Sequence, residues 1–104
     1  MTDAVVDDPA HHRLVVRGDG GADAELVYER EGDVLYLIHT EVPPAFRGHG
    51  TGGQLVEAAI GWARADGLTV VPWCPFARRW LHEHPDAASG VTIDWDTEPP
   101  ESDS

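Results

Sequence analysis

The chain has 104 residues, 41% hydrophobic and 25% charged, the size and composition of one globular domain with a single modest core. Seven basic residues, all Arg, against nineteen Asp and Glu leave a net charge of −12, which repels nucleic-acid phosphates and anionic membrane surfaces alike. One Cys excludes an intrachain disulfide framework and any multi-cysteine zinc site, no apolar run approaches the ~20 residues of a transmembrane helix, and the absence of Lys removes Walker-type phosphate binding.

Residues 1–11 carry Asp3, Asp7 and Asp8 and no apolar core, so they read as a flexible acidic terminus rather than a signal peptide, and the protein is expected in the cytoplasm. A single domain is expected over 12–95. Residues 12–17 (HRLVVR) have a β-branched centre and predict a strand. After the turn cluster Gly18-Asp19-Gly20-Gly21, residues 24–30 alternate, with Leu26 and Tyr28 on one face, and predict a second strand. Residues 34–42 are apolar almost continuously through Ile38, as in a central strand covered on both faces. Pro43 and Pro44 stop the ladder, because neither has an N–H to give.

A helix is expected over 51–66, with Leu55, Ala59, Trp62 and Ala63 as its apolar stripe, Val56 and Ile60 widening it, and Gly67 just past its end. Residues 68–73 (LTVVPW) predict a strand whose Pro72 argues for an edge or a bulge. Residues 76–84 predict a short helix, with Pro75 suited to its first turn and Pro85 ending it. Residues 91–95 (VTIDW) predict a last short strand, and 96–104 an acidic disordered tail. Hairpins followed by strand, loop, helix, strand and helix define a mixed α/β class.

The loop joining the apolar strand to the long helix, VPPAFRGHGTGGQ, carries the chemistry. Glycines let backbone N–H groups approach a ligand, the helix N-terminus offers unpaired donors and partial positive charge, and Arg47 adds a full one. These are the parts of a pyrophosphate cradle. A tight turn that merely needs glycines is the plain alternative; four of them in six residues behind an Arg favour the phosphate. Gly48, Gly50 and Gly53 also satisfy the dinucleotide spacing G-x-G-x-x-G, but the following strand ends Val71-Pro72-Trp73-Cys74 without the carboxylate that would bind a ribose. His82 and His84 lie i and i+2 on a helix and share no face, so with Cys74 they make a poor metal site and no metal is expected.

The six residues Arg47-Gly48-His49-Gly50-Thr51-Gly52 resemble the R/Q-x-x-G-x-G/A motif of the GNAT acetyltransferases. Ile38-His39-Thr40-Glu41-Val42-Pro43-Pro44 upstream, and Trp73-Cys74-Pro75-Phe76 and His84-Pro85 downstream, look like the small single-domain branch of that superfamily. The resemblance spans residues 25–85. It implies a truncated GNAT fold in which the strands ending near Glu41 and Cys74 splay apart and the pantetheine arm of acetyl-CoA lies in the gap. It also implies that Arg47, Gly48, His49, Gly50, Thr51, Gly52 and Gly53 hold the pyrophosphate, and that Val42, Cys74 and Phe76 contact the cofactor, with Arg78 or Arg79 toward the adenosine.

Acetyl transfer to an amine needs a proton acceptor, donors for the oxyanion and a proton for the departing thiolate. Glu41, at the mouth of the expected gap, is the candidate base; a solvated strand-end carboxylate is the alternative. His39, two residues earlier on the same face, is a second base or an orienting group, or simply a structural histidine. The resemblance has backbone N–H groups near Val42 polarise the carbonyl. Cys74 is a candidate nucleophile activated by His39, or a donor to the leaving sulfur, or an inert buried thiol. Larger relatives place a Tyr after the second splayed strand; here that stretch has Phe76 and Trp80. The expected partners are therefore acetyl-CoA and a small amine or Lys-containing acceptor, favoured by the acidic charge. The rivals are a CoA-binding module without turnover and an interaction protein whose loop is only structural.

Overall fold

The computed structural model describes residues 5–18, 22–46, 48 and 50–99; the candidates Arg47 and His49 lie outside them. Five strands form one sheet in chain order: β1 (Val6–Asp8), β2 (Arg13–Val16), β3 (Ala24–Glu31), β4 (Val34–Glu41) and β5 (Thr69–Pro72). The first four pair antiparallel, and β5 joins β4 in parallel. That parallel pair needs a crossover, which is α1 (Thr51–Asp66); α2 (Pro75–Glu83) follows β5. The ends of α1 obey its sequence: Gly67 takes φ +68, and Leu68 N–H turns back to Ala63 O at 2.8 Å.

Alternate strand residues make the core. Leu14, Val16, Leu26, Tyr28, Leu35, Leu37 and Val70 form one buried cluster with Leu55, Val56, Ala59, Ile60 and Ala63 of α1 and Ala77 and Leu81 of α2. Both helices thus cover one face of the sheet. Among the described residues no helix covers the other face, where Tyr36 rests on Trp73 with ring centroids 4.5 Å apart. The near-continuous apolar run of β4 is therefore not covered on both faces: Leu35 and Leu37 are buried, while Tyr36 and Ile38 are half-buried. Pro72 sits in β5, the last strand of the sheet, as its missing N–H requires.

Both chain ends differ from the sequence expectation. Residues 6–8, expected to fray, form β1, because their carboxylates find partners on the neighbouring strands: Tyr28 O–H donates to Asp7 at 2.6 Å and Arg13 Nε–H to Asp8 at 3.2 Å. Burial, and then the Asp7 carboxylate, push the Tyr28 phenol well above its ordinary value. Residues 91–95 make no full strand; Ile93 forms an isolated parallel bridge to Val70 along the free edge of β5. Residues 96 and 97, expected in a disordered tail, are tied down. Trp73 Nε1–H donates to Thr97 O at 2.8 Å, and Asp94 accepts the N–H groups of Asp96 and Thr97 and the Thr97 hydroxyl.

Candidate functional site

Two breaks in regularity create the site. The β4–β5 ladder ends at Leu37↔Pro72, where Trp73 N–H bends back to Val71 O and Cys74 N–H makes one more bond, to Leu37 O at 2.8 Å. Beyond that rung β4 runs on through Ile38–Glu41, paired only with β3. The strands therefore part at Cys74, and one edge of β4 is open there, as the resemblance implied.

The second break is a β-bulge. Val27 faces His39 and Tyr28 faces Leu37, so Ile38 is an extra residue and the alternation slips by one. Leu37 and Thr40, three apart instead of two, then share the helix side of the sheet, while His39 and Glu41 are exposed on the open side. The slip separates the candidates. Thr40, which the sequence reading passed over, meets Cys74: their Oγ1 and Sγ are 3.1 Å apart, and Cys74 is 2% exposed. His39 and Glu41 share a face as expected, but it is not the face on which Cys74 meets β4. Glu41 stands directly across from Glu25, whose carboxylate is held by Arg13 at 2.7 Å. Among the described residues Glu41 has no ion-pair partner.

On the helix side a cavity of about 330 Å³ opens between Val42, Phe46, the start of α1, Phe76 and Trp80. Gly48 and Gly50 border it with φ +83 and +70, conformations suited to glycine, and a Cβ at either would meet nothing. The first intrahelical bond of α1 runs from Gln54 N–H to Gly50 O at 3.0 Å. The N–H groups of Thr51, Gly52 and Gly53 thus have no intrahelical acceptor, and Gly50 supplies no side-chain cap. Three donors without an acceptor among the described residues, at the positive end of a sixteen-residue helix, fit a phosphate.

Gly52 and Gly53 have a different reason. A Cβ at Gly52 would lie 2.6 Å from Phe76 Cζ, and one at Gly53 2.5 Å from Trp80 Nε1. These two glycines let α2 press its rings onto the first turn of α1, so this part of the motif serves helix packing. Trp80, backed by a stacked His84 ring at 4.3 Å, and Phe46 are site residues the sequence reading missed. The Phe46 signal was an aromatic side chain just after the Pro pair. Arg78 is engaged within the chain: its Nη2–H bonds Trp95 O at 3.0 Å and its guanidinium lies over the Trp95 ring. Among the described residues no group of three or more His, Cys, Asp or Glu is arranged to hold a metal, and no helix is long and apolar enough to cross a membrane.

A mixed sheet whose parallel β4–β5 pair parts beside an uncapped, glycine-bracketed helix is the GNAT architecture. The solution structure of a GCN5-like protein from Staphylococcus aureus matches it with a TM-score of 0.67, covering 92% of this chain and 96% of that one at 20% sequence identity. The sequence model of the GCN5-related N-acetyl-transferase family matches residues 13–90, and the chain belongs to that family. It is similar to Protein NATD1 of chicken, 34% identical over 80 residues covering 75% of this chain and 73% of the relative. NATD1 of human matches equally, covering 71% of the relative, and that of Xenopus tropicalis is 35% identical.

Proposed function

We propose that the protein transfers the acetyl group of acetyl-CoA to an amine. The observation that carries this reading is the juxtaposition of the parted β4–β5 edge with the three N–H donors of α1 that have no acceptor among the described residues, bordered by one cavity. The pyrophosphate lies against Thr51, Gly52 and Gly53 N–H, and Arg47, Gly48, His49 and Gly50 of the same motif contribute to its binding. The pantetheine passes Val42 and Phe76 and adds to the open edge of β4, which places the thioester near Cys74.

The bulge divides the labour. Cofactor groups use the helix side, where Thr40 and Cys74 meet, and the acceptor comes from the open face, where Glu41 and His39 are exposed. Glu41, across from Glu25 and without an ion-pair partner among the described residues, draws a cationic amine and takes its proton. The free amine attacks the thioester carbonyl and backbone N–H near Val42 holds the oxyanion; the nitrogen then loses its second proton to water, the C–S bond breaks as the carbonyl re-forms, and the Cys74 thiol protonates the departing CoA thiolate. The acceptor is a small amine or a Lys side chain, and the reaction belongs to the cytoplasm.

The test is acetyl-CoA turnover with spermidine and a Lys-containing peptide, read by mass spectrometry. Glu41→Gln is expected to lower turnover about 10²–10⁴-fold, the usual contribution of a general base, with CoA affinity unchanged. CoA binding without transfer to either amine would instead leave a binding module.

A further inference from the structure

We propose that Thr40 is a positioning residue for Cys74: its hydroxyl fixes the sulfur at the point where β4 and β5 part and donates a hydrogen bond to it once it gives up its proton. This rests on the cofactor reading above, which brings the thioester to that point.

Three observations carry it. First, the placement is built. Without the extra residue at Ile38, alternation from Leu37 would put His39 on the helix side; the bulge puts Thr40 there instead. Second, the contact spans the gap. Thr40 lies beyond the last β4–β5 rung and Cys74 at the turn leaving β5, so a side-chain pair 3.1 Å apart extends the link between the strands past the Cys74 N–H to Leu37 O bond. Third, the pair is sheltered: Cys74 is 2% exposed and Thr40 half-buried, where a hydroxyl donor to a charged sulfur counts for more than it would in water.

The proton inventory is simple. In the resting pair the thiol S–H donates to Thr40 Oγ1, or the hydroxyl donates to Sγ; the heavy-atom geometry allows both. When the thiol proton passes to the CoA thiolate, the S–H bond breaks, an S–H bond forms on CoA, and the electron pair stays on Cys74. Thr40 keeps its own proton and turns it toward that pair. A proton from water, or the one Glu41 took from the amine, restores the thiol.

The experiment compares wild type, Thr40→Val and Thr40→Ser. Valine keeps the shape and removes the donor; serine keeps the donor. Iodoacetamide alkylation of the single cysteine at pH 8, followed by intact mass, reads thiolate availability without needing CoA or an acceptor. Thr40→Val is expected to slow alkylation about tenfold, the loss of one charge-assisted hydrogen bond, and Thr40→Ser to stay within about twofold. In turnover, Thr40→Val lowers kcat with KM for acetyl-CoA unchanged, and Thr40→Ser restores it. Equal alkylation rates in wild type and Thr40→Val overturn the proposal, as does a serine variant that behaves like valine or a native cysteine that does not alkylate at all. Absence of CoA binding in wild type defeats the cofactor reading instead, while the alkylation ratio still decides the Thr40 contact.

Discussion

Gly53→Ala and Gly61→Ala make the same chemical change in one helix and are expected to move stability in opposite directions. In a helix interior Ala is favoured over Gly by about 1 kcal/mol. Gly61 has nothing within 4 Å of a built Cβ, so Gly61→Ala gains up to that amount. At Gly53 the same methyl would lie 2.5 Å from Trp80 Nε1 and 3.1 Å from Cε2. The indole cannot swing away freely, because His84 is stacked on it at 4.3 Å. Forcing a methyl into such a contact costs about 1–3 kcal/mol. The propensity gain largely cancels between the two variants, which should therefore differ by about 1–3 kcal/mol, with Gly53→Ala the less stable. For a domain of this size each kcal/mol is about 4–8 °C in Tm. Thermal and urea unfolding of the two variants beside wild type measure this directly. Coincident melting of the two variants, or Gly53→Ala above wild type, would refute the claim that the motif's second glycine pair serves helix packing.

Other outcomes follow from the same contacts. Tyr28→Phe removes the donor that ties Asp7 to β3 and is expected to cost about 1 kcal/mol. Because the folded phenol's pKa is raised, that contribution is fully present below the ordinary phenol value and lost as pH rises beyond about 10, so wild type and Tyr28→Phe should converge there in urea unfolding. The Thr97 hydroxyl and the N–H groups of Thr97 and Asp96 hold the Asp94 carboxyl below its ordinary value. Its contribution is therefore present above about pH 4 and lost as pH falls through the depressed value. Amide exchange at Asp96 and Thr97 should speed up in Asp94→Ala while the β3–β4 amides keep their protection.

Much of the fold is legible in the sequence because local chemistry and tertiary structure agree. The α1 bounds, 51–66, coincide with the expected ones: Gly50 and Gly67 bracket an amphipathic run and both take positive φ. The stop of β4 before Pro43 and the edge position of β5 follow from the proline punctuation. What stays hidden depends on partners far away in sequence. β1 is acidic and looks unstructured, yet Tyr28, 21 residues on, claims the Asp7 carboxylate. The bulge at Ile38 has no local signature, since IHT alternates as well as any strand. Strict period-two reading puts His39 where Thr40 stands. The glycine motif conceals its second role, because no spacing rule shows that Phe76 and Trp80 will press on Gly52 and Gly53.

The proposed function stands on a CoA pyrophosphate held by the first N–H groups of α1. In titration of the ¹⁵N-labelled protein with CoA, followed by amide shifts, saturable shifts are expected, largest at Thr51, Gly52 and Gly53 and at the Trp80 indole N–H, with little change at another cavity, about 290 Å³, around Asp7, Tyr28 and Trp62. Shifts centred on that other cavity, or none at all, would contradict it.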